Sequence, residues 1–187
     1  MRGMYYKLPH YVYIKSEKYF INTDYRIFIE FEEKMQEKVD KEVIVDTLKA
    51  FYPAFFKIIK KKLLLEAVNK FLWFYRCGKT DEELPQKTAN KSNVRAFSYK
   101  YDDLYIWGEF KRNYGVDISK NRIHWWRFKA MWLCLPNDCE FNKIKGYRCY
   151  TGTDKNLLEL KTIYKLPLTQ TEIEDKLRRD KLYEMLK

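Results

Sequence analysis

Turn-forming residues are scarce in this chain. Six glycines and five prolines in 187 residues are too few for a repetitive β-barrel or an all-β sandwich, which need a tight turn every eight to twelve or so residues. Histidine is scarcer still, at two. Only His10 and His124 could act as an imidazole base, and His10 lies beside Pro9 in an expected surface segment, so a catalytic triad has little material to draw on. No G-x-x-x-x-G-K-[ST] or G-x-G-x-x-G sequence is present, which removes the glycine loops that cradle nucleotide and dinucleotide phosphates. No apolar run approaches the roughly 18 residues of a membrane-spanning helix; the best candidates, Ala50–Phe56 and Phe71–Tyr75, are short and followed by Lys or Arg. The N-terminus MRGMYYKLPH lacks the apolar stretch of a secretory signal, so the expected location is the cytoplasm.

The four cysteines, Cys77, Cys134, Cys139 and Cys149, contain no C-x-x-C pair. With His124 their intervals match no common zinc knuckle or ribbon, so small buried reduced thiols and a helix-surface imidazole are expected, with no metal and no cofactor. The acidic pairs Glu32-Glu33, Glu82-Glu83 and Asp102-Asp103 are adjacent in sequence. On a helix their side chains diverge, which suits solvation or a helix dipole better than general acid–base work. No catalytic residue is expected, and the chain reads as a non-enzyme.

What the sequence does have is rings: 16 Tyr, 12 Phe and 5 Trp, or 18% of the chain, within a 46% hydrophobic and 34% charged composition. Such a chain is long enough to bury one core, and that core should be rich in rings whose polar atoms seek partners. The expected fold is mainly α: a compact multi-helix single domain over 1–187 with a small N-terminal β-hairpin at 10–22, a helical body over 23–166 and a C-terminal amphipathic helix over 169–187. Short β-branched and aromatic runs at Tyr11–Ile14 and Tyr19–Ile21 flank a polar turn and predict the hairpin.

The spacing of Tyr25, Phe28, Phe31 and Met35 predicts a helix from about Asp24 to Lys38. A second helix over Lys41–Phe51, with Val45 and Leu48 inward, should stop before Pro53, followed by a tight loop. A broad stripe of Leu64, Val68, Phe71, Leu72 and Tyr75 predicts a central helix over Lys61–Cys77, with Gly78 as its left-handed cap. Lys79–Ser98 reads as a long loop. Further helices are expected from Asp102 through Trp107, Phe110 and Tyr114 to Gly115, and from a cap at Ser119 or Asn121 through Trp125, Phe128, Trp132 and Leu135. Two more should span Asp138–Tyr150 and the segment that Asp154 caps, bearing Leu157, Leu160, Ile163 and Tyr164. Thr169 and Glu172 have the spacing of a capping box and open the last helix, which makes about eight helical segments in all.

Two features could bind macromolecules. The net charge is +11, and Lys57, Lys60, Lys61 and Lys62 form a basic cluster; this is compatible with phosphate binding, although the core spacing of Trp125 and Phe128 favours an ordinary amphipathic helix. Trp126, beside Trp125, must face another direction. It packs in a second layer or stands exposed with Arg127 as a contact anchor. Leu177, Leu182 and Leu186 of the last helix are the other candidate contact residues.

The segments Phe71-Leu-Trp-Phe-Tyr-Arg-Cys-Gly-Lys79, Tyr101-Asp-Asp-Leu-Tyr-Ile-Trp-Gly-Glu-Phe110, Tyr114-Gly-Val-Asp-Ile118, Ile123-His-Trp-Trp-Arg-Phe-Lys-Ala130 and Lys143-Ile-Lys-Gly-Tyr-Arg148 resemble, in order and spacing, the bacteriophage "gene-product fifteen" family. Ile21-Asn-Thr-Asp-Tyr-Arg26 extends the resemblance, which runs from about Leu8 to Leu166 by pattern. Genes of that family lie between those of the major tail protein and the tape measure protein of long-tailed phages and prophages. The resemblance therefore implies a tail assembly chaperone in the host bacterial cytoplasm that binds the tape measure protein and a companion tail assembly chaperone, with homo-oligomerisation left open, no membrane partner and no catalytic residues. A minor structural tail component and a basic nucleic-acid-binding phage protein are the alternatives, the last the weaker.

Overall fold

A computed structural model describes residues 7–37, 40–80, 82–83 and 94–185. Among these, the chain order is β1 (Tyr11–Ile14), β2 (Glu17–Phe20), α1 (Tyr25–Glu37), α2 (Lys41–Phe51), α3 (Phe55–Lys60) and α4 (Leu64–Tyr75). It continues through α5 (Asp103–Tyr114), α6 (Trp125–Leu133), α7 (Glu140–Cys149), α8 (Lys155–Ile163) and α9 (Gln170–Met185). The fold is mainly helical with a two-stranded antiparallel hairpin at its N-terminus, as the sequence predicts. Two compact units gather these elements, one drawn from 1–31, 41–89 and 118–134 and the other from 32–40, 90–117 and 135–187.

In the first unit the hairpin pairs Tyr11 with Phe20 and Ile14 with Glu17 around the two-residue loop Lys15-Ser16. Alternation turns Val12, Ile14 and Tyr19 inward and leaves Tyr11, Tyr13 and Phe20 exposed. The core is a stack of rings. Phe28 lies 4.8 Å from Trp125, 5.5 Å from Phe74 and 5.8 Å from Phe71, all with near-parallel planes, while Phe51 meets Phe71 edge-on at 5.3 Å. Each such pair adds about 0.5–1.5 kcal/mol beyond area burial. The polar tips are answered by backbone. Trp125 Nε1 donates to the Tyr75 carbonyl at 2.8 Å, the Tyr52 hydroxyl to Ala67 at 2.8 Å and the Tyr25 hydroxyl to Ile118 at 2.8 Å. Burial pushes the Tyr52 phenol well above its usual range.

Three expectations change here. The segment after Pro53 is the short helix α3, where a loop was expected. Only its Ile58 is fully buried and Phe56 is 78% exposed, so no apolar period marks it. The buried face of α4 is Ala67, Phe71 and Phe74, continuing from Leu63, and Leu64 is exposed. Of the expected stripe Phe71 is buried, whereas Val68, Leu72 and Tyr75 are only half-buried, because small Ala67 marks the seam, where the Tyr52 hydroxyl reaches its carbonyl. The left-handed turn after α4 begins one residue early, at Cys77 (φ 55°), and continues at Gly78 (φ 77°). The Gly78 amide donates to the Trp73 carbonyl at 2.9 Å and the Cys77 amide to Phe74 at 3.0 Å, the bond pair of a Schellman motif.

The Lys57, Lys60, Lys61, Lys62 cluster spans the C-terminal part and end of α3, where positive charge complements the helix dipole. Lys61 is ion-paired with Glu17. Helix α1 ends at Glu37; Lys38 of the expected span lies outside the described residues.

In the second unit, α5 ends in Gly115 at φ 67°, as expected. Its buried face is Ile106, Glu109 and Phe110, whereas Trp107 is 41% exposed and donates from Nε1 to Asp117 at 2.9 Å. Asp154 caps α8 by accepting from the Leu157 amide at 3.0 Å. Thr169 and Glu172 form the expected capping box, with Glu172 accepting from the Thr169 amide at 2.8 Å and Thr169 Oγ1 from the Glu172 amide at 3.2 Å. The expected 79–98 loop falls mostly outside the described residues, and residues 94–98 lead directly into the turn before α5.

Candidate partner-binding surfaces

The starts of α1 and α6 clasp each other. The Tyr25 amide donates to the Ile123 carbonyl at 2.9 Å and the Trp125 amide to Thr23 at 2.8 Å. The cap of α6 is His124, not Ser119 or Asn121: its Nδ1 accepts from the Trp126 amide at 3.1 Å, while Nε2 lies 3.0 Å from the Pro9 carbonyl. An acceptor Nδ1 and an Nε2–H donor fit together only in the neutral imidazole. Burial accordingly pushes its pKa below the usual value, reinforced by His10 and Arg127 and opposed by the bond to Pro9. His124 is thus a half-buried cap and not the helix-surface imidazole the sequence suggested. Its shape-based role was hidden because histidine is not a typical N-cap residue.

Beside it, burial pushes the Asp24 carboxyl up, but bonds from Arg26 and Arg122 outweigh that and hold it below its usual value. Arg26 grips both oxygens at 2.9 and 2.7 Å, and Arg122 Nε lies at 3.2 Å. A cleft of about 440 Å³ opens here, lined in part by His10, Asp24, Arg122 and Arg127.

Trp126 takes the second-layer position. Its ring is 5.7 Å from Trp73 and 5.6 Å from Phe74, and its Nε1 donates to the Phe74 carbonyl at 2.8 Å. Gly78 sits against it, close enough that a Cβ there would fall 2.9 Å from Trp126 Cη2. The indole is held as a packing element, and Arg127 is exposed.

The thiols are less buried than expected. Cys139 is buried and Cys77 half-buried, its thiol pushed up by burial, while Cys134 and Cys149 are exposed; Cys134 follows the last residue of α6 and Cys149 ends α7, outside the packed faces of both helices. No group of three or more His, Cys, Asp or Glu side chains capable of holding a metal occurs among the described residues. No helix among them is long and apolar enough to cross a membrane.

The second unit is organised by Arg148. Its Nη1 and Nη2 each donate to Asp102 at 2.7 Å, its Nε to the Tyr164 carbonyl at 2.7 Å and Nη1 also to Ala96 at 3.1 Å. Asp102 accepts in addition from the Ser98 amide at 2.9 Å. Asp102 is therefore the anchor of a buried ion pair and not a solvated or dipole-stabilising carboxylate. Glu109, also buried, accepts from the Glu140 amide at 3.0 Å and from Asn113 at 2.9 Å. A charged residue inside an apolar period gives no sequence signal of burial unless its partner is known.

Next to this network lies an open cleft of about 680 Å³. One side is formed by Leu158, Lys161, Thr162 and Lys165 of the α8 segment, and the other by Glu172, Asp175, Lys176 and Arg179 of α9. Each set recurs at i, i+3, i+4 and i+7, the spacing of one helical face. Neither helix has a fully buried side chain among the described residues.

The family model for bacteriophage Gp15 protein matches residues 4–167. The chain belongs to the bacteriophage Gp15 protein family. No curated protein and no solved structure matches it. The family match ends at Pro167, so it takes in the α1–α6 clasp, Trp126 and the α8 side of the larger cleft, while α9 lies beyond it. Of the expected contact residues, Trp126 and Arg127 lie in the first unit and Leu177 and Leu182 in the second, while Leu186 lies outside the described residues. Leu177 and Leu182 are 63% and 57% exposed. On a helical projection Leu177 shares a face with Ile173, whereas Leu182 points about half a turn away from Ile173, so they form no single stripe.

Proposed function

We propose that this Gp15-family protein is a tail assembly chaperone that binds the tape measure protein during tail morphogenesis in the host cytoplasm, with a companion tail assembly chaperone as a second partner. It acts by holding a partner and not by catalysis. The observation that carries this reading is the pair of helices α8 and α9, which present apolar and charged faces to a shared open cleft, α8 half-burying Leu157 and Leu160 and neither helix fully burying a described side chain. Helices in a compact unit ordinarily bury one stripe, and an unfilled cleft between two such helices is the form of a groove for a partner helix. The family assignment supplies the phage context, and the scarcity of reactive side chains in the sequence agrees with a holding role.

The test is co-expression of the tagged full chain with its cognate tape measure protein, followed by pull-down and sizing at moderate and high salt. Recovery of a complex that persists at high salt supports a chaperone working through apolar contacts. Failure to bind a soluble, intact tape measure protein sinks the role. Mass spectrometry of purified particles separates this reading from a minor tail component, since a chaperone leaves the finished virion.

A further inference from the structure

The cleft between α8 and α9 has a chemistry that specifies its occupant. We infer that it receives an amphipathic α-helix of the partner protein whose apolar stripe is flanked by acidic residues; the inference rests on the partner-binding reading above and names its surface. The apolar ground comes from Leu158, 41% exposed, with Val94, Leu166 and Leu168 also lining the cleft. The rims carry Lys161 and Lys165 on one side and Lys176 and Arg179 on the other, against Glu172 and Asp175. Glu172 is already engaged in the capping box and faces Arg95 at 3.6 Å, and Asp175 lies 3.7 Å from Arg178. The rims are thus left with a positive balance that an acidic flank would complement.

A second observation points the same way. Arg95 lines the cleft with its side chain 14% exposed, and its Nε is buried without a hydrogen-bond partner among the described residues, although Nη2 donates to the Pro167 carbonyl. That Nε is enclosed and out of an incoming group's reach, but the Arg95 guanidinium adds a further positive charge to the lining, which an acidic flank on the occupant complements. A nucleic acid is the less suitable occupant: among the described residues no aromatic ring lines the cleft for bases to stack on, and two carboxylates line it where phosphates would run.

The probe is a synthetic 18-residue helical peptide with leucines at i, i+3, i+4 and i+7 flanked by Glu, compared with the same peptide carrying Lys in place of Glu and with a single-stranded oligonucleotide. Binding to the full chain is read by fluorescence anisotropy. The acidic peptide should bind, the basic one should not, and Leu158→Asp or the Lys165→Glu/Arg179→Glu pair should weaken binding at least about tenfold. These positions are exposed, so circular dichroism melts should match the parent. Absence of acidic-peptide binding, binding that these substitutions leave unchanged, or tighter binding of the oligonucleotide at the same residues overturns the groove. If the tape measure protein is still captured by the groove variants, the groove fails and the chaperone reading stands. If the acidic peptide binds through the groove but the tape measure protein is never captured, the chaperone reading fails alone.

Discussion

Arg148 and Asp102, 46 residues apart, meet in a two-pronged ion pair with both contacts at 2.7 Å and side-chain exposures of 6% and 0%. Arg148 sits on α7 and Asp102 immediately before α5, and the same guanidinium reaches the carbonyls of Ala96 and Tyr164. One side chain thereby joins the segment before α5, α7 and the end of α8, and with it the base of the α8–α9 cleft.

Replacing Arg148 with Met should therefore be far worse than an ordinary surface change. It leaves Asp102 buried and uncompensated, at a cost of about 3–5 kcal/mol. Arg148→Lys should recover only part of this, because an ammonium cannot make the paired geometry or reach both carbonyls. Urea unfolding monitored by circular dichroism measures the loss, and a variant within about 0.5 kcal/mol of the parent would contradict the anchoring role.

Gly78→Ala should destabilise through two routes. The position has φ 77°, where a Cβ costs about 1–2 kcal/mol, and the new methyl would fall 2.9 Å from Trp126 Cη2. The indole must shift and strain its bond to Phe74, so the tryptophan emission should move along with the melting temperature. Gly115→Ala has the same backbone problem but nothing within 4 Å of the new Cβ, and should lose less.

His124 gives a pH signature. Its pKa is lowered in the folded state, so below its unfolded value of about 6.5 the unfolded chain binds more protons and stability declines. The contribution is complete above that pH and is lost as the pH falls through the lower folded value. Asn in place of His124 keeps a capping acceptor without titrating, and should flatten the stability profile between about pH 5 and 7. An unchanged slope would remove His124 as its source.

Much of the fold was legible because local chemistry agreed with it. Pro53 stopped α2 at Phe51, Asp154 and the Thr169/Glu172 pair opened α8 and α9, and Gly115 closed α5. The errors came where tertiary contacts decide. Ala67 became the seam of α4 where the Tyr52 hydroxyl reaches its carbonyl, and Cys77 took a left-handed conformation that its residue type does not advertise. The candidate surface was less readable. Leu177 was marked as exposed apolar area, but the cleft's cationic rims and the buried Arg95 depend on bringing residues 94–95, 158–168 and 172–179 together. Spacing along one helix carries no trace of that meeting, and the choice between a second-layer and an exposed Trp126 is made by Phe74 and Gly78, which lie far from it in sequence.

A chaperone for the tape measure protein should change the soluble fraction of that protein in host cells that express it with and without this chain. Alone the tape measure protein should aggregate, and with the chain present it should stay soluble and bound. Equal solubility in both cultures, with no complex recovered, would contradict the chaperone role.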